Sequence, residues 1–157
     1  MTRPSSTPAA VLFDLDGTLI DTYRLYLESY RRAVAPILGR LPEHDEIAAR
    51  APSAERRFLA DWIGDSEIDE CHGALCRHYA ELQSSMGEGP YEGVREMLAA
   101  LRTAGYPLGI VTGKGRRIWE VTEEIFDPGI FRVVVTEEVD EPRGARAAAE
   151  RSKRRVR

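Results

Sequence analysis

Residues 10–18 read Ala-Val-Leu-Phe-Asp-Leu-Asp-Gly-Thr, an apolar run that stops in two carboxylates and a glycine. An apolar run before such a stop reads as a parallel strand covered on both faces. Side chains alternate along a strand, so Asp14 and Asp16 fall on one side and Leu15 on the other if the geometry persists. Burying even one unpaired carboxylate is costly, so a metal ion or a reacting group is the natural counterpart of the pair. In an open parallel sheet, ligands sit outside the carboxyl ends of the strands, which is where these acids stand.

The remaining chain supplies the other parts of such a sheet. Residues 1–8, rich in Pro, Ser and Thr, read as a disordered arm. Ala9 to Asp14 is the first strand. From Thr22 to about Met86 the apolar spacing is helical. Tyr23, Tyr26, Leu27, Tyr30 and Val34 form one stripe, with Pro36 and Gly39 expected to end that helix. A shorter helix carries Phe58, Leu59, Trp62 and Ile63, and a longer one Ile68, Cys71, Leu75, Tyr79, Leu82 and Met86. Gly87-Glu88-Gly89-Pro90 is a turn or hinge. Val94, Met97, Leu98 and Leu101 then make a helix closed by Gly105, and Pro107 to Thr112 a second buried strand. A helix over Ile118–Phe126 and a third strand from Phe131 to Thr136 follow. The expected fold is therefore α/β, a Rossmann-like parallel sheet of about three strands with an inserted α-helical cap. Its division is a core of residues 9–18 and 88–142, a cap over 19–87 and a basic tail over 143–157.

Charge and composition narrow the class of partner. The net charge of −4 hides an acidic body of −10 over residues 1–142, set against seven Lys/Arg and one acid from Arg143 onward. An acidic body argues against nucleic-acid binding, and the short Arg/Ala-rich end reads as a solvated tail. No apolar run approaches the roughly eighteen residues a membrane span needs. With two cysteines and no signal-peptide core, the expected address is the cytoplasm.

Three strand ends offer chemistry: Asp14 with Asp16, Thr112-Gly113-Lys114, and Thr136-Glu137-Glu138. The first two suit a phosphate and a magnesium ion. A carboxylate can attack phosphorus, and a second one two residues on can protonate the leaving oxygen and later deprotonate water. Mg²⁺ takes carboxylates, a backbone carbonyl, water and substrate phosphate as ligands. Thr112 can donate its hydroxyl to a phosphoryl oxygen. Backbone N–H groups at Gly113 and Gly115, just before a helix, can complete an anion nest.

Phe13-Asp14-Leu15-Asp16-Gly17-Thr18-Leu19-Ile20-Asp21-Thr22 resembles the first signature of the haloacid dehalogenase superfamily, in its phosphatase branch. Ile110-Val111-Thr112-Gly113-Lys114 resembles the second signature. The helical insert and Tyr91-Glu92-Gly93-Val94 resemble the phosphoglycolate-phosphatase-like group. The resemblance implies that Asp14 is the nucleophile and Asp16 the general acid/base. It also implies that both hold Mg²⁺, Asp16 through its carbonyl, and that Thr112, Gly113 and Lys114 bind phosphate. The implied activity is a Mg²⁺-dependent phosphatase of a small phosphorylated metabolite.

The chain departs from this pattern near its end. Arg143-Gly144 stands where the family's third-signature lysine is expected, and no paired acids follow. A guanidinium does not replace a compact ammonium in shape or reach. The expectation is a truncated or frame-shifted member whose first strand is an apolar sheet edge. A second reading is then a binding or interaction protein that keeps the fold without turnover, and a phosphomutase is a weaker enzymatic alternative.

Other residues have simpler readings. Cys71 lies on the apolar helical stripe and adjacent His72 faces elsewhere, so a buried thiol with surface histidines is expected rather than zinc. His44, among acids, reads as a solvated helix end. Lys114 either reaches a substrate phosphate or marks a helix start. Arg116 and Arg117 read as surface residues, Asp21 as a helix N-cap or an acid near the magnesium, and Trp62 and Trp119 as core or interface aromatics.

Overall fold

The computed structural model describes residues 10–50, 55–86 and 89–137. The arm at 1–8, the basic tail from Arg143, residues 87–88 of the hinge and Glu138 lie outside the described residues.

Three parallel strands form the sheet, in the order β1 (Val11–Phe13), β2 (Leu108–Val111), β3 (Phe131–Val135). Val11 pairs with Leu108 and Phe13 with Ile110, while Leu108 faces Phe131 and Val111 faces Val135. Leu108, Ile110, Phe131 and Val134 are buried on one face together with Leu98 and Trp119. Leu12, Val111 and Val133 stay exposed on the other. Among the described residues β1 is an edge, as its apolar sequence with no following partner strand led one to expect. β1 and β2 are shorter than their apolar runs, although the flanking Pro107 carbonyl still accepts from the Val11 N–H and the Thr112 N–H donates to the Val135 carbonyl, both at 2.9 Å.

Among the described residues, five α-helices lie between β1 and β2: α1 (Tyr23–Leu38), α2 (His44–Ala48), α3 (Glu55–Ile63), α4 (Ile68–Met86) and α5 (Val94–Thr103). A sixth, α6 (Arg116–Glu123), joins β2 to β3. Pro36 lies inside α1 rather than ending it. So close to the end, its missing N–H costs a single helix bond, and Gly39 closes the helix in the left-handed conformation at φ 65°.

Tyr30, Leu59, Leu75 and Tyr79 from α1, α3 and α4 share one buried cluster, and the sheet with Leu98 and Trp119 makes a second. Fully burying an aliphatic side chain such as Leu75 stabilises by about 1.5–3 kcal/mol. Helix α6 serves both clusters: Ile118 packs in the first and its neighbour Trp119 in the second. Tyr79 on α4 meets Thr122 on α6 through a 3.1 Å hydroxyl contact. The two chain crossings between the clusters are tied at one point. Ile20 bridges Pro90, and the Tyr91 N–H donates to the Leu19 carbonyl at 3.0 Å.

Candidate active site

Strand alternation persists past the end of β1 and sets the site. Leu15 is fully buried in the sheet cluster, so Asp14 and Asp16 turn the opposite way, and both line one cavity of about 630 Å³. Gly17 sits at φ 71°, a backbone conformation that glycine adopts without strain, and its N–H donates to the Ile20 carbonyl at 2.9 Å. The chain thereby folds back and starts α1 above the acids. Tyr23, Tyr26 and Tyr30 of α1 form the facing wall, while Gly113 and Lys114 close the side beneath β2.

Asp14 is exposed, with the Thr18 hydroxyl 3.3 Å from its Oδ2. Asp16 is held more tightly. The Lys114 Nζ lies 2.7 Å from its Oδ1, and the Thr22 hydroxyl donates to the same oxygen. Lys114 was expected either at a phosphate or as a charge marking a helix start. It does stand at a helix start, directly before the Gly115 N-cap of α6, and it is buried there at 1% exposed. Its Nζ sits 4.2 Å from the centre of the Tyr26 ring and donates to the Tyr79 hydroxyl at 3.3 Å. Burial pulls the Lys114 ammonium below its ordinary range, and Asp16, followed by Glu55 and Asp14, pulls it back up.

Thr112 is buried, and its Oγ1 accepts from the Lys114 N–H at 3.2 Å, so it shapes the loop that presents Gly113 and Lys114. It is not among the residues lining the cavity. At the end of β3, the Glu137 N–H donates to the Lys114 carbonyl at 2.9 Å, which braces the same loop. The N-cap of α1 is Thr22 rather than Asp21, but Asp21 accepts from the Tyr23 N–H at 3.1 Å just before the helix and lines the cavity. His44 is half-exposed at the start of α2 beside Glu28, Trp119 is a core residue, and Trp62 stacks under the Arg50 guanidinium.

The expectation of surface histidines is corrected for His72, which is buried. Glu55, one of the few buried acids, lies 2.9 Å from its Nε2. The other Glu55 oxygen accepts from the Tyr26 hydroxyl at 3.0 Å and from the Gly115 N–H at 2.8 Å. Glu55 therefore connects α1, α3, α4 and the loop after β2, a role absent from the sequence reading. The Cys76 sulfur and the Glu55 carboxylate, both against the ring, push His72 up to about 10. Cys71 is buried as expected, its thiol donating to the Ala33 carbonyl at 3.4 Å, and burial raises it to about 11.

The donors around Asp14 are oxygens alone, and its carboxylate makes no ion pair among the described residues. A hard divalent cation such as Mg²⁺ fits that donor set.

A family model described as haloacid dehalogenase-like hydrolase matches residues 11–143. The tyrosine-protein kinase PtkA of Mycobacterium tuberculosis is 34% identical over 113 residues, which is 71% of this chain and 38% of that protein. The pyrophosphatase PpaX of Bacillus velezensis is 33% identical over 137 residues, 85% of this chain and 62% of that protein. The chain thus spans between about two fifths and three fifths of the length of these relatives. The crystal structure of CbbY from Rhodobacter sphaeroides in complex with phosphate superposes with a TM-score of 0.70 at 22% identity. That match covers 87% of this chain and 67% of CbbY, and it shows a shared fold.

Proposed function

The chain belongs to the haloacid dehalogenase-like hydrolase family, and on that premise we propose that it is a Mg²⁺-dependent phosphatase of small phosphorylated metabolites. The observation that carries this reading is the convergence of Asp14, Asp16, Gly113 and Lys114 on one cavity. A carboxylate nucleophile, a second acid, backbone donors and an ammonium are together what phosphoryl transfer through an aspartyl-phosphate requires.

The Asp14 carboxylate attacks phosphorus, the bond from phosphorus to the ester oxygen breaks, and Asp16 delivers a proton to that departing oxygen. Lys114 and Thr22 both bind Oδ1 of Asp16, which leaves Oδ2 to carry the proton. Asp16 then takes a proton from the water that attacks the aspartyl-phosphate, releasing inorganic phosphate and restoring Asp14. The Gly113 backbone holds the phosphoryl oxygens, and Thr112, through its bond to the Lys114 N–H, fixes the loop that presents it. Mg²⁺ would be held by the Asp14 carboxylate and the Asp16 main-chain carbonyl, and supplies positive charge against the phosphoryl group when bound.

Helices α1 to α4 act as a cap over this site and exclude water during transfer. A volume of about 630 Å³ suits a small ligand. Its tyrosine wall on α1 offers rings and hydroxyls to the organic part of a metabolite. Hydrolysis of p-nitrophenyl phosphate with saturating Mg²⁺ tests the reading, with Asp14→Asn as the control. Turnover in the wild type that the substitution abolishes supports it, and a wild type inert at high Mg²⁺ removes it.

A further inference from the structure

We propose that Glu55, His72 and Cys76 form a binding site for a zinc-class divalent cation, separate from the phosphatase centre. Their ligand atoms, one from each residue, all lie within 4.8 Å of one another, and all three residues are buried. His72 and Cys76 stand one turn apart on the same face of α4, the i, i+4 spacing that presents two ligands side by side. Glu55 meets them from the first turn of α3.

The separations bracket those of a zinc tetrahedron. With Zn–N near 2.0–2.1 Å and Zn–S near 2.3 Å, neighbouring ligands lie about 3.3–3.6 Å apart. Here Nε2 of His72 is 2.9 Å from Oε2 of Glu55 and 3.9 Å from Sγ of Cys76. The Glu55–His72 separation must open and the His72–Cys76 separation close by a few tenths of an ångström, while Glu55 and Cys76, within 4.8 Å of each other, draw together by side-chain rotation. Glu55 is also oriented from behind, since its remaining oxygen is held by Tyr26 and Gly115. Ligands fixed this way by outer hydrogen bonds are characteristic of metal sites.

A carboxylate and a thiolate would together cancel the charge of M²⁺, and binding would release a proton from Cys76, so the occupied site buries no uncompensated charge. The sulfur and nitrogen ligands select zinc-like ions over Mg²⁺, so this site and the oxygen-lined cavity call for different metals. Because Glu55 also holds the Gly115 N–H, a bound ion ties α3 and α4 to the loop beside Lys114.

The test is titration of the reduced, metal-stripped full chain with Co²⁺, followed by displacement with Zn²⁺. A thiolate-to-cobalt charge-transfer band that saturates at a single equivalent and disappears with Zn²⁺ is expected, and an oxygen-only site cannot produce it. The band should be lost in Cys76→Ser and kept in Cys71→Ser. Glu55→Gln, nearly isosteric, should weaken Co²⁺ binding by about tenfold or more. Zn²⁺ should also raise the melting temperature of the wild type and not of Cys76→Ser. The absence of a thiolate band in folded wild type, or a band that survives Cys76→Ser, overturns the proposal. Should Cys76→Ser fail to fold by circular dichroism, the decision passes to Glu55→Gln, where unchanged affinity overturns it.

Discussion

Asp16 and Lys114 share one ion pair but are buried unequally, so substituting each end should cost different amounts. The Lys114 side chain has no exposure, whereas Asp16 keeps about a third of its surface in the cavity. Lys114→Met preserves a stem of similar length between the Tyr26 and Tyr79 rings. It removes a hydrogen bond between charged groups, about 1.5–3 kcal/mol, and a cation–π contact of about 1 kcal/mol. Against that stands the relief of burying an ammonium, which costs several kcal/mol. Asp16 keeps the Thr22 hydroxyl and regains water, so the net change should stay within about 2 kcal/mol of zero. Asp16→Ala instead strands the ammonium without its carboxylate, at about 3–5 kcal/mol. Burial already draws Lys114 below its ordinary range, and losing Asp16 removes the main opposing influence. A base whose folded pKa lies below its unfolded value binds fewer protons when folded, so its contribution to stability rises with pH up to the unfolded value. The Asp16→Ala deficit should therefore shrink as pH rises toward the ordinary lysine value of about 10.4. Urea unfolding followed by circular dichroism, with both variants referred to wild type at each pH, measures this. Equal losses for the two substitutions, or an Asp16→Ala deficit that grows with pH, would refute the reasoning.

Two further outcomes follow from buried contacts elsewhere. His72, raised to about 10 by Cys76 and Glu55, adds stability that is complete below about pH 6.5 and is lost as pH rises through about 10. Its replacement in His72→Gln should flatten the wild-type decline in unfolding free energy over that window, and an unchanged slope would show that the pair is not ionised. A Cβ at Gly109 would stand 2.7 Å from the Leu12 Cδ2 and 3.1 Å from the Val133 carbonyl oxygen. Gly109→Ala should thus cost about 1–3 kcal/mol in chemical denaturation, with Leu12→Ala restoring part of it in the double variant. A neutral Gly109→Ala would mean that β2 and β3 separate easily at this point.

The parts of the molecule legible in the sequence were those governed by local periodicity. Alternation through Leu12, Asp14 and Asp16 was readable because the buried Leu15 enforces it, and the α4 stripe through Cys71, Leu75 and Tyr79 was readable because all three share one helix face. What escaped depends on contacts between distant segments. Lys114 reads as a phosphate ligand or a charge at a helix start, and its burial depends on Tyr26 and Tyr79, carried by the helical insert. In the sequence His72 stands beside Cys71, and Cys76 near His78, although one helical turn sets 72 and 76 together. Glu55 carried no local signal, because the groups that fix it come from α1, α4 and the loop after β2. Helix α1 ran past Pro36 because a proline near a helix end removes little hydrogen bonding.

Attack by Asp14 on phosphorus is the central chemical claim, and trapping the covalent intermediate tests it most directly. Wild-type protein, incubated with a phosphorylated substrate and Mg²⁺ and quenched in acid, should carry a phosphoryl group that is released by hydroxylamine. Peptide mass analysis should place it on the segment containing Asp14 and Asp16, and Asp14→Asn should abolish it. Substrate turnover with no trapped species, or a phosphoryl group that persists in Asp14→Asn, would contradict the assignment of Asp14 as the nucleophile.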